Sequence, residues 1–213
     1  MKARRALGGF TLVEVLVAML VMAIMSLIAW QGVDGIARAR ESNQSHLEQT
    51  LRLETVIAQW EQDLASIQES TAVPALTCDG QSVRLTRRTE GGMQVVTWSL
   101  RPDAHDSMWQ RWAGPAVTTT TALQQGWLQT QQFQGNETGQ LRALGGLDQW
   151  QVYFFQGNAW ANCQSSGNVA AAPASGPVGT TRQALPSGVR LVLAFAPGSG
   201  LNGSLTRDVL IAP

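Results

Sequence analysis

One carboxylate in this sequence stands where carboxylates are rare. Glu14 is the single ionisable side chain in the 21-residue run FTLVEVLVAMLVMAIMSLIAW, residues 10–30. The other residues able to do chemistry are few. His46 falls among polar residues of a helical stretch and His105 in the loop Asp103-Ala104-His105-Asp106, so both read as surface histidines. No G-x-S-x-G, no H-E-x-x-H and no Cys/His neighbourhood suited to nucleophilic catalysis is present. Asp103, Asp106 and Asp148 lack the glycine-punctuated ligand run of a calcium loop. Cys78 and Cys163 lack zinc spacing; in an oxidising compartment they could join, and in a cytosol they would be buried thiols. Gly198-x-Gly200-x-x-Gly203 matches a dinucleotide fingerprint in form, but only a ten-residue strand pattern follows it, so it reads as a turn. Trp109 and Trp112 read as core, with exposed contact anchors, even for sugar, as the other reading. No metal, cofactor or enzymatic activity is expected.

The run around Glu14 is about 30 Å long as a helix, which matches a bilayer core. Lys2, Arg4 and Arg5 precede it, and positive flanks stay on the cytoplasmic side. Arg38 and Arg40 lie beyond the far end, interspersed with Asp34 and Glu41. The expected orientation is N-terminus in, remainder out. A secretory signal would end in a small-residue cleavage site, and Leu27-Ile28-Ala29-Trp30-Gln31 does not. A plain anchor leaves Glu14 unexplained, since a mid-bilayer carboxylate costs about 2.5–3.5 kcal/mol on insertion scales. The positive end of the helix dipole offers one local account.

The string Gly8-Gly9-Phe10-Thr11-Leu12-Val13-Glu14 resembles the cleavage site of type IV prepilins and type II secretion pseudopilins. The resemblance implies that a prepilin peptidase cuts between Gly9 and Phe10 and methylates the new Phe10 amine. It also implies that Glu14, fifth in the mature chain, serves assembly as a counter-charge to that amine on a neighbouring subunit. A buried charge is tolerable with a partner and strongly unfavourable without one.

These residues need elements to hold them. Val33, Ile36, Leu47, Leu51, Ile57, Trp60, Leu64 and Ile67 recur mostly at three or four residues, so the helix is expected to continue to about Ile67. Its opposite face carries Arg38, Glu41, Glu48, Arg52, Glu61 and Glu69. Gly32 and Gly35 cost about 1 kcal/mol each relative to alanine, and bending or melting is expected there. After Pro74 the pattern changes to strands and turns. Segments 82–86 and 93–100 read as a hairpin, 109–112 and 127–133 as weaker strands, and 149–155 as a strand turned at Gly157-Asn158. Segments 189–195 and 204–211 read as a final pair. The stretch from Cys163 to Pro186, rich in Ala, Gly, Ser and Pro, reads as a surface loop. The fold class is α+β, a long N-terminal helix packed on antiparallel sheets. Fifteen basic residues balance 15 acidic ones, and nothing points to nucleic acid.

Three further strings narrow the resemblance. Residues 29–36, AWQGVDGI, the acidic Trp60-Glu61-Gln62-Asp63-Leu64, and Leu185-Pro186-Ser187-Gly188-Val189-Arg190-Leu191 are similar to segments of the type II secretion minor pseudopilin J family. W-type minor pilins of type IV pili share several of these traits and form the alternative, with an assembly or adhesion role. The J resemblance implies a pilin-like fold and a tip complex with I- and K-type minor pseudopilins and the major pseudopilin. It divides the chain into a leader (1–9), a transmembrane half-helix (10–30), a periplasmic amphipathic helix (31–70) and a periplasmic β-rich head (71–213). The expected location is the bacterial inner membrane, single-pass.

Overall fold

Helix α1 spans Leu12–Ala65, and its start is written in Thr11 and Glu14, a hydroxyl and a carboxylate three residues apart that satisfy the first free amides. The structure is a computed structural model and describes residues 10–102, 107–133, 137–163 and 184–211. The first part of α1 is long and apolar enough to cross a membrane, and none of that apolar window is buried in the protein. The helical backbone continues through Gly32 and Gly35, so the melting expected there does not occur. Good helix formers around them (Ala29, Gln31, Ala37) and an Asp34–Arg38 ion pair of 2.7 Å, one turn apart, offset the glycine cost. The chain forms two compact units, Met1–Glu48 and Gln49–Pro213.

In the second unit α1 buries Val56, Ile57, Trp60 and Leu64, with Leu53 packed beside them. These positions recur at three and four residues, as one buried face requires. They meet an antiparallel sheet that has eight strands among the described residues. The strands are β1 (Leu76–Cys78), β2 (Ser82–Thr89), β3 (Gly92–Pro102), β4 (Ser107–Ala113), β5 (Gln140–Gln156), β6 (Ala159–Asn162), β7 (Gly188–Phe195) and β8 (Ser204–Leu210). Their order is β1-β2-β3-β4-β5-β7-β8, with β6 paired to β5. An α+β architecture, a long apolar N-terminal helix leading into an antiparallel β domain, is therefore what the chain adopts.

Alternation along the strands assigns two faces. Val96 and Trp98 of β3 join the α1 core, whereas Val95 joins Trp112, Leu123 and Trp127 in a second cluster. That second face is covered by helix α2, Thr120–Thr130. The expected strand at 127–133 is thus corrected to a helix followed by a turn. Thr119 caps it, its side chain accepting from the Ala122 amide at 3.4 Å, and Leu123 and Trp127 stand one turn apart on the buried side.

The hairpin of β2 and β3 turns at Glu90-Gly91, tighter than the loop expected from Arg87. Strand β5 begins nine residues before the expected 149. Its first half pairs with β4 and its second with β7, and the register shifts around Leu147 and Gln149. Gly146, at φ 73°, absorbs the irregularity, and its carbonyl accepts the Ala196 amide at 2.9 Å. The short strands β1 and β6 were not foreseen. Of the expected loop from Cys163 to Pro186, residues 164–183 lie outside the described residues.

Candidate functional site

Among the described residues, the most elaborate polar site is built around Asp63, on the last turn of α1. Register sets its partners: Arg87 of β2, Trp98 of β3 and Arg111 of β4 all lie on the face that α1 covers. Asp63 is fully buried. Its Oδ1 accepts from Arg87 Nη1 at 2.7 Å, Arg111 Nη2 at 2.9 Å and Gln59 Nε2 at 3.1 Å. Its Oδ2 accepts from Arg111 Nε and Trp98 Nε1, both at 2.8 Å. A carboxylate has about four lone-pair sites, so five donors leave no capacity for another ligand. Arg87 also donates through Nε to Gln94 Oε1 at 2.9 Å, and Gln94 Nε2 donates to the Gly114 carbonyl at 2.6 Å. Two guanidiniums face one carboxylate, and the negative end of the α1 dipole, one turn away, complements the surplus cation. Above this cluster four tryptophans pack ring to ring: Trp60–Trp98 at 5.5 Å, Trp98–Trp109 at 4.4 Å and Trp109–Trp150 at 6.2 Å. The arrangement clamps a helix to three strands. It is not a catalytic constellation.

A second clamp ties α1 to β5. Arg52 donates through Nε to the Ala143 carbonyl at 2.9 Å and through Nη2 to that of Arg142 at 2.8 Å. Cys78, ending β1, is disulfide-bonded to Cys163, just past β6, with Cα atoms 5.9 Å apart. Both cysteines lie in the α1 core.

At the other end of the chain, Glu14 Oε2 accepts from the Thr11 amide and the Thr11 hydroxyl, each at 2.9 Å. The Glu14 amide in turn donates to Thr11 Oγ1 at 3.4 Å. The two residues form a capping box, which gives Glu14 a partner inside its own chain. Phe10 precedes the box and is exposed, and Trp30 is exposed at the far end of the apolar run. Gly9 lies outside the described residues.

Residues 4–30 match the prokaryotic N-terminal methylation motif. The motif indicates a pilin-like component of a type II secretion system or a type IV pilus. That family is structural rather than catalytic. No curated protein matches the chain. Together the prepilin-type motif and the apolar start of α1 indicate membrane anchoring by a single N-terminal segment.

The remaining candidates of this pilin-like chain fall into place. Trp109 and Trp112 are buried, as the core reading expects, and the alternative of exposed contact anchors falls. Three residues apart on one strand, they point to opposite faces and fill the two separate cores. Gly198, Gly200 and Gly203 all have φ near +83° in the turn between β7 and β8 (84°, 84° and 82°), and a strand follows them, as a turn requires. His46 is exposed on α1, and Asp148 is exposed on β5. His105, Asp103 and Asp106 lie outside the described residues. Sequence reasoning noticed Asp63 only within its acidic motif. Arg87, Trp98 and Arg111 carried no local signal, because strand register alone brings them together.

Proposed function

We propose that this chain is a minor pseudopilin of a type II secretion system, J-type, and a structural subunit of the tip complex that initiates pseudopilus assembly. The prepilin-type segment at residues 4–30 carries the reading. Two further observations support the J assignment. The acidic string that resembles the J family contains Trp60 and Asp63, and these two side chains fasten α1 to the sheet. The face of α1 from Val33 to Ile36 is apolar and exposed, which suits contact with neighbouring helices.

In this reading a prepilin peptidase removes residues 1–9 and methylates Phe10. The apolar half of α1 stays in the inner membrane and the head lies in the periplasm. Glu14 pairs with the N-terminal amine of an adjacent subunit during assembly. The partners are I- and K-type minor pseudopilins and the major pseudopilin. The test is deletion of the gene, followed by assays of filament formation and protein export, with co-purification of the protein and its operon's minor subunits. Loss of export and of filament initiation, with a heteromeric complex, is expected. Intact export with loss of surface adhesion would instead place the chain as a type IV minor pilin.

A further inference from the structure

The first compact unit holds a cation whose placement selects a partner. Arg38 is paired with Asp34, but Arg40 makes no hydrogen bond or ion pair among the described residues. Residues three and four positions away are Ile36, Ala37, Asn43 and Gln44, so its own helix offers no acid at the spacing that forms such pairs. Ile36, Ala39, Arg40, Asn43, Gln44 and Leu47 line one face of α1. Ile36 is 72% and Leu47 57% exposed. These two apolar side chains lie about three turns apart, roughly 16 Å, with the Arg40 guanidinium between them.

We propose that this face receives an amphipathic helix of a different subunit that presents a carboxylate at the level of Arg40. The proposal rests on the heteromeric reading above and deepens it. An all-apolar helix covering Ile36 and Leu47 would strand the guanidinium away from water with no counter-charge, which is strongly unfavourable. A second copy of this chain, anchored by the same N-terminal segment and therefore parallel, sets Arg40 against Arg40 when in register, a like-charge contact that opposes self-pairing. Only a copy shifted by eight residues along the axis brings up Glu48, and the tagged-copy experiment below detects that arrangement.

The test co-expresses the full-length chain with each prepilin-type chain encoded beside it and measures binding in detergent by titrated pull-down. Arg40→Lys should bind within threefold of the original protein, and Arg40→Glu at least tenfold more weakly. Changing the partner's facing acid to lysine should restore binding to the Arg40→Glu variant. If Arg40→Glu binds undiminished while the heteromer forms, the charge pairing is overturned and the heteromeric reading stands. If the original protein binds none of these chains, both fall. If differently tagged copies of this chain co-purify and Arg40→Glu abolishes that, the occupant is a second copy and the proposal is overturned.

Discussion

Asp63 and Arg111 are 48 residues apart in sequence, yet the guanidinium lays Nε and Nη2 along the two carboxylate oxygens at 2.8 and 2.9 Å. Neither group has much water around it, with side-chain exposures of 0% for Asp63 and 12% for Arg111. Removing one member of such a pair leaves an uncompensated buried charge. Asp63→Ala should therefore destabilise the head by about 3–5 kcal/mol, read from urea unfolding followed by tryptophan fluorescence. A loss under about 1 kcal/mol, the range of exposed pairs, would show that the clamp contributes little.

The bond between Cys78 and Cys163 spans 85 residues, for which chain entropy predicts about 4–5 kcal/mol of stabilisation. Thiol labelling of the unfolded, unreduced protein should find no free cysteine. Cys78→Ser should lower the unfolding midpoint substantially. Two labelled thiols in protein purified without reductant would remove the bond from the account.

Burial penalises the Asp79 carboxylate, but the Ser82 amide, the Arg84 guanidinium, the Gln81 amide and the Ser82 hydroxyl outweigh that penalty and hold its pKa below the ordinary value. A carboxylate depressed in the fold stabilises above its unfolded pKa of about 3.9, and the stabilisation is lost as pH falls through the lower, folded value. Asp79→Asn should flatten the acid limb of the stability curve below about pH 5 and leave its slope at higher pH unchanged. An unaltered acid limb would assign that slope to other groups.

Processing at the prepilin junction predicts a mature protein that begins with N-methylated Phe10. Intact-mass and N-terminal peptide spectrometry of the membrane-extracted protein read this directly. An intact leader, or an N-terminus beyond Trp30, contradicts it.

Glu14→Ala should impair filament initiation while the head stays folded, since Glu14 lies in the first compact unit and the buried core in the second. The capping box supplies a control. Thr11→Ala removes the hydroxyl contacts of that box, a loss of about 0.5–2 kcal/mol, but leaves the carboxylate and its bond from the backbone amide of residue 11 in place. Equal assembly defects in the two variants would mean that helix capping, not pairing with a neighbour, is what assembly requires of Glu14.

The architecture was legible wherever hydrophobic period was unambiguous. The spacing of Ile57, Trp60 and Leu64 foretold the buried face of α1, and alternation foretold β2, β3, β7 and β8. It failed where side-chain chemistry favoured the wrong element. Trp127, Leu128 and Phe133 suggested a strand, while the deciding signals were the Thr119 cap and the Leu123–Trp127 spacing. The strand expected from 149 begins at 140, because a bulge carries β5 through Gly145 and Gly146. The prepilin segment lies within one continuous string and could be read directly. The Asp63 clamp gathers side chains from four elements, and no local pattern encodes the register that assembles it.

All five hydrogen bonds of that clamp converge on a single carboxylate. Four of them come from β2, β3 and β4. A tensile load drawn along α1 is therefore divided among three strands at once. Such a joint yields by simultaneous rupture rather than by peeling one bond after another. Strain on the last turns of α1 is then met by interior strands rather than by an edge of the sheet.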